Sequence, residues 1–278
     1  MRIAVSNIAW DIVEDEAIAV LLQRHGVAAI DVAPSKYFPD PKAASSGDIH
    51  RVRDWWHRRG IEITGMQALM FGTVGLNLFG PTTTRDAMLQ HLTAICRIGA
   101  GLAAPRLVFG SPKSRDRGSL DPQQAIERAA DFFTRLGDIA AAHGVMICLE
   151  PNPACYGANF MTTTEEAAEV VTRVGHPAIR LQLDSGAMTI NGEDTRTTVT
   201  RYAGLTGHIH ASEPNLLPLG DGQADLSTLC SVLPGLLEDP LICVEMLATD
   251  NEAHTVSIDR ALRALIGHAG AAQGRRWP

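Results

Sequence analysis

The chain has 278 residues, of which 45% are hydrophobic and 20% charged, and its formal net charge is -7. That length suits one (β/α)8 barrel better than a small two-layer domain, and the ordinary composition excludes low-complexity and disordered classes. With a terminal "GRRWP" as its basic cluster and no apolar run long enough for a bilayer, the sequence argues against nucleic-acid and membrane partners.

The first sixteen residues, "MRIAVSNIAWDIVEDE", carry a short apolar run broken by Ser6, Asn7 and Asp11, so no secretory core is read and a cytoplasmic location is expected. Short aliphatic or β-branched runs then recur at 2–6, 28–32, 62–68, 106–110, 145–150, 179–184, 207–211 and 241–245. Each is followed by a polar loop and a longer amphipathic stretch, the pattern of βαβ units around a parallel sheet. "DWWHRR" at 54–59 reads as helix with Trp55 or Trp56 on the core. A helix over 121–144 opens with Asp121 as N-cap and Pro122 in its first turn, and ends at Gly144. A second, over 162–175, has threonine before a Glu-rich first turn and closes at Gly175.

Eight repeats without a linker predict one (β/α)8 barrel domain over 1–278, with 271–278 a frayed tail. A doubly wound open sheet is the alternative, but G-x-G-x-x-G does not follow the first strand. The five cysteines are odd in number and lack a C-x-x-C pair, which predicts free thiols in a reducing compartment, with Cys148 and Cys243 as small core residues.

Chemistry in such a barrel sits where strands finish. The last four runs end on Glu150, Asp184, His210 and Glu245, each with its own loop beyond. Three converging carboxylates would repel one another, and one divalent cation would join them. A set of hard oxygens with one imidazole suits Mn, Mg or Co and could hold Zn; manganese is the expected ion. His208 shares a strand face with His210 and lies one layer lower, beside Cys148, Gln182 and Cys243. It is expected as a buried support for the ligands, with Gln182 a candidate hydrogen-bond partner. Asn7, Trp10, Gln67 and Asn152 stand at or just past strand ends and are expected to line the pocket. Lys113 and Arg115 in "GSPKSRDRG" are expected to hold an anionic substrate group, and Glu213 to orient a ligand or a substrate hydroxyl.

The ordered set of Glu, Asp, His and Glu on strands five to eight resembles the metal site of the xylose isomerase-like TIM-barrel superfamily. That superfamily comprises sugar isomerases and epimerases, with relatives among inosose dehydratases and endonuclease IV, and the resemblance covers nearly the whole chain. It implies that Glu150 and Glu245 both bind metal and exchange protons on opposite sides of a carbohydrate-like carbonyl substrate. The implied activity is isomerisation or epimerisation through a metal-stabilised enediolate, in carbohydrate metabolism. An inosose-type dehydratase and a non-catalytic sugar-binding barrel are the alternatives. Family members are often dimers or tetramers, so the resemblance allows a homo-oligomer. Two positions depart from the ketose-epimerase pattern: Ala187 stands where a histidine follows the strand-six Asp, and Leu216 where an arginine contacts substrate. The earlier strand ends offer Gln67 and "FGSPK" instead of the extra histidines of endonuclease IV.

Overall fold

The aliphatic runs form eight strands in the computed structural model, which describes residues 1–273. In chain order the elements are β1 (Arg2–Ser6), α1 (Asp15–Arg24), β2 (Ala29–Val32), α2 (Pro34–Tyr37), α3 (Ser46–His57), β3 (Glu62–Met66), α4 (Thr82–Leu102), β4 (Arg106–Phe109) and α5 (Pro122–Ala142). They continue with β5 (Met146–Leu149), α6 (Thr164–Val174), β6 (Ile179–Asp184), α7 (Ser185–Asn191), α8 (Thr195–Tyr202), β7 (Thr206–Ser212), α9 (Leu226–Leu236), β8 (Leu241–Glu245) and α10 (His254–Gln273). Every neighbouring strand pair is parallel, and β1 pairs with β8, Ile3 opposite Ile242 and Val5 opposite Val244, to close the barrel. The open doubly wound sheet is therefore excluded. Of the tail predicted over 271–278, residues 271–273 complete α10 and 274–278 lie outside the described residues.

Local signals place the helices. Asp121 accepts from the backbone N–H groups of Gln123 and Gln124, with Pro122 at the first position of α5. Thr163 caps α6, which ends at Gly175 in the left-handed conformation. Ser45 and Asp48 form a reciprocal capping box at α3. On α3, Trp56 is buried in the core, while the half-buried Trp55 carries the Arg59 guanidinium 3.6 Å from its ring centroid. Strands and helices share one large apolar core, and Ala4, Ala29, Leu241 and Cys243 form a small separate cluster. The cysteines are all free; Cys155 alone is exposed. Among the described residues no helix is long and apolar enough to cross a membrane.

Two irregularities matter for the site. The β2–β3 register shifts between Ile30 and Asp31, and the β6–β7 register shifts between Leu181 and Gln182. After the second shift Asp184 lies level with His210, and Ser212 lies level with Glu245 on β8.

Candidate metal centre

The four strand-end residues come together as their placement predicts. Glu150, Asp184, His210 and Glu245 each offer one ligand atom, and these atoms all lie within 4.8 Å of one another. All four residues are buried, His210 completely. His210 Nδ1 is 3.2 Å from Glu150 Oε1 and 3.2 Å from Glu245 Oε2. Asp184 has a double duty: Oδ1 accepts the Ala187 N–H at 2.6 Å, capping α7, and Oδ2 accepts the Ser212 hydroxyl at 2.8 Å. Close packing leaves no room beside Glu150 for a side chain on β4's neighbour, because a Cβ on Gly110 would lie 1.8 Å from Glu150 Oε2. Gly110 is thus a cradle for that carboxylate.

Electrostatics show a concentration of negative charge that the protein alone does not neutralise. Burial, and then the Glu245 and Glu150 carboxylates, push Asp184 up to about 7. Burial alone would depress the His210 imidazole, yet the same two glutamates outweigh it and hold His210 well above its ordinary value. Burial would likewise raise Glu245, but His210 and the amide of Gln67 hold it below. Three buried carboxylates around one imidazole fit a divalent cation by count and by chemistry: hard oxygens and one nitrogen, gathered in a space the size of a coordination sphere.

Around the quartet, some of the expected residues line the cleft and others turn into the protein. Gln67 lines the cleft and donates Nε2–H to Glu245 Oε1 at 2.6 Å. Asn152 also lines it, with Nδ2 3.3 Å from Glu150 Oε2. Lys113 faces the cleft, as do Ala187 and Leu216. Arg115 does not: it is fully buried, its guanidinium donating to the Glu150 carbonyl at 2.7 Å and to Asn152 Oδ1 at 2.5 Å. It braces the end of β5 instead of waiting for a substrate anion, and burial pulls its pKa down to about 10 against the opposing pull of Glu150. Trp10 is packed edge-on against Trp56, 6.4 Å between centroids, and its Nε1–H donates to Asp15, so it belongs to the core behind the cleft wall. Asn7 is also buried, with Oδ1 accepting the Ala33 N–H at 2.7 Å; it joins the β1 and β2 loops. Glu213 borders the cleft, but its two oxygens accept the N–H groups of Gly220 at 3.0 Å and Ala224 at 2.8 Å, which fastens the loop before α9.

His208 lies beneath the quartet, its ring edge-on to His210 at 5.3 Å. Its partner is Asp31, Nε2–H donating to Oδ2 at 2.5 Å, and not Gln182, whose Nε2 reaches the Leu183 carbonyl. Burial keeps His208 below its ordinary value, and at Asp31 the contact with His208 outweighs burial and holds the carboxyl below its own. Asp31 is a residue sequence reasoning missed. The signal was present, since a charged residue inside "AAIDV" must sit in a strand buried on both faces. Thr64 completes the arrangement, its hydroxyl donating to Asp31 Oδ1 at 2.9 Å.

Glu150, Asp184 and Glu245 line a cleft of about 890 Å3 at the C-terminal ends of the strands, with His210 fully buried against them. Solved structures share the fold. A D-psicose 3-epimerase from Clostridium cellulolyticum H10, crystallised with D-tagatose, is 18% identical, with a TM-score of 0.80 over 98% of this chain and 99% of that one. An IolI protein with a bound zinc atom is 17% identical, with a TM-score of 0.77 over 98% and 99%. The 3-keto-D-glucoside 4-epimerase YcjR from E. coli is 15% identical, with a TM-score of 0.74 over 94% and 98%. The family model described as xylose isomerase-like TIM barrel matches residues 20–268. This chain belongs to the xylose isomerase-like TIM barrel family.

Proposed function

We propose that the protein is a divalent-metal-dependent isomerase or epimerase acting on a sugar or related polyhydroxy carbonyl compound. The observation that carries this reading is the gathering of Glu150, Asp184, His210 and Glu245 at the mouth of the barrel, with both glutamates against one imidazole nitrogen. The sugar epimerases among the structural neighbours, and the zinc atom of the IolI structure, support the same reading.

The four residues would hold the cation, and the oxygen-rich donor set favours manganese. Bound there, a divalent cation supplies Lewis-acid polarisation of a substrate oxygen. The protein supplies the proton transfers. Glu150 follows β5 and Glu245 ends β8, three strands apart around the barrel, so their carboxylates approach a substrate in the cleft from different sides. Glu245, held ionised, is able to take a proton from the carbon next to a carbonyl, which leaves an enediolate. Glu150, entering the step as the acid with a proton drawn from solvent, then gives that proton to the opposite face, inverting the centre and leaving the abstracted proton on Glu245; return of the abstracted proton to the neighbouring carbon by a single carboxylate gives isomerisation. Gln67 fixes one Glu245 oxygen, and Asn152 with Arg115 fixes Glu150, so neither carboxylate has to search for its position.

The test is incubation of the manganese-loaded protein with a panel of sugars in deuterium oxide. Solvent deuterium at one carbon of an isomeric product is the expected result. Loss of water from the sugar would replace the reading with a dehydratase, and no exchange or turnover on any panel member would replace it with a non-catalytic binding barrel.

A further inference from the structure

Above the quartet, the cleft changes character. Polar side chains along it are largely engaged by the protein itself: Asn152 with Arg115 and Glu150, Glu213 with two backbone N–H groups, Lys36 with the carbonyls of Asn7 and Trp10. Hydrocarbon faces the remaining space from two directions. Leu69, Met70 and Phe71, on the loop after β3, line one side; Tyr156, Leu216 and Leu247, on the loops after β5, β7 and β8, line the other. Strands three and seven are diametrically opposed in an eight-stranded barrel, so these are facing walls.

The second wall is built deliberately. The Asn215 N–H donates to Tyr156 Oη at 2.7 Å, and the Leu247 N–H donates to the Leu216 carbonyl at 3.0 Å, tying three loops into one surface. Asn215 and Leu216 both hold left-handed backbone, φ 61° and 52°, a conformation that disfavours a leucine. The first wall ends in Phe71, 75% exposed, and Leu247 opposite is 51% exposed. Large apolar side chains left in water at a cleft mouth mark a surface that a ligand covers. The cleft, about 890 Å3, stands near the top of the range for drug-sized ligands, roughly 300–1,000 Å3. A free sugar would leave most of it empty and would bring hydroxyl groups to walls that are mostly hydrocarbon.

We infer that the substrate is a conjugate: a hydroxycarbonyl unit facing the quartet, joined to an apolar group that lies between the Phe71 wall and the Tyr156–Leu216–Leu247 wall. The inference rests on the proton-transfer reading for which end faces the quartet. The apolar group has two sources, an aryl aglycone or a nucleobase, and the latter would bring phosphates to Lys113.

The test is calorimetric titration of the manganese-loaded full chain with methyl 3-keto-β-D-glucoside, 4-nitrophenyl 3-keto-β-D-glucoside and uridine diphosphate 3-ketoglucose, each of which carries a hydroxycarbonyl unit. At least one aromatic conjugate binds about tenfold tighter than the methyl glycoside, and that ratio falls by roughly threefold or more in Phe71→Ala and in Leu216→Gly. Glycine accepts the left-handed backbone at 216, so Leu216→Gly keeps or raises the melting temperature, which separates a lost ligand contact from a lost fold. Strongest binding by the nucleotide sugar, weakened by Lys113→Ala, assigns a nucleobase; strongest binding by the nitrophenyl glycoside assigns an aglycone. Equal affinity for all three probes, no binding of either aromatic probe at millimolar concentration, or an unchanged ratio in both variants overturns the proposal. Calorimetry needs no turnover. Aromatic preference without any deuterium exchange would therefore sink the proton-transfer reading alone, and exchange on free sugars without aromatic preference would sink this one alone.

Discussion

At His210 burial disfavours the charged imidazole, and Glu150 and Glu245, each 3.2 Å from Nδ1, favour it more strongly. Asp184, raised from 3.8 to about 7, leans the same way, because the folded metal-free protein binds more protons at both groups than the unfolded chain does. Stability from these two groups is full at low pH and is lost as pH climbs through the window that opens near 4 and extends past 7. Asp31 and Glu245, held low, act in the other direction and matter only in acid. The melting temperature of chelator-treated protein is therefore expected to fall between pH 6 and pH 8, and to fall less in Asp184→Asn; a flat or rising profile in the parent would count against the site as described. Manganese affinity, measured by calorimetry over the same range, should rise with pH as the cation displaces those protons. Glu245→Gln keeps the size of the side chain and removes its basicity, so turnover should drop by about 10²–10⁴ with the fold intact by circular dichroism. All four of these residues were legible because each stands at or near the end of an aliphatic run, where side chains face a common mouth. Arg115 and Trp10 were not. Their sequence positions place them on loops of the active face, but only three-dimensional packing shows that the loops turn them inward.

At the scale of elements, Asp184 is at once a strand end, a helix cap and a proposed ligand, so β6, α7 and the metal centre share one carboxylate. Asp184→Asn retains an oxygen able to cap α7 but loses the charge, whereas Asp184→Ala loses both; the alanine variant should be less stable by about 1 kcal/mol, the usual worth of an N-cap, as read by urea denaturation of metal-free samples. Gly110, the residue after β4, contributes by the side chain it lacks. Gly110→Ala adds one methyl group where Glu150 Oε2 already lies, so the carboxylate must move, and manganese affinity should weaken roughly 10–100-fold with little change in secondary structure. Wild-type affinity in that variant would show that the cradle has slack. The strand assignments from sequence were accurate to within two residues at each end, for instance 241–245 for Leu241–Glu245, since parallel strands buried on both faces read as unbroken apolar runs. The Asp31–His208 pair escaped because its two members are 177 residues apart, and nothing local to either names the other.

For the whole molecule, closure of β1 against β8 brings Glu245 next to loops from the first strands, as the Gln67–Glu245 contact shows. A ligand that binds only this closed form stabilises it by mass action. Manganese at a hundred times its dissociation constant should add about 2.7 kcal/mol, which for a chain of this size is roughly 5–10 °C in melting temperature. Scanning calorimetry with and without chelator measures it, and no shift would argue that the quartet is vacant in solution. The barrel was legible as a whole because its eight repeats left no residue span unaccounted for. The shape of the cleft was not, since it depends on loops whose strained turns, at Ala68 and Leu216, have no local glycine to announce them.

The four proposed ligands all come from residues 150–245, on β5 to β8, while β1 to β4 supply walls and braces. The reacting groups thus occupy one half of the cylinder, whereas the surfaces that choose a substrate are shared by both halves. An exchange of the leading four repeats with those of a relative would retune one wall of the cleft and keep the reacting groups only if Asp31, Gln67 and Gly110 travel unchanged, which makes the stretch between α5 and β5 a natural place to cut and join.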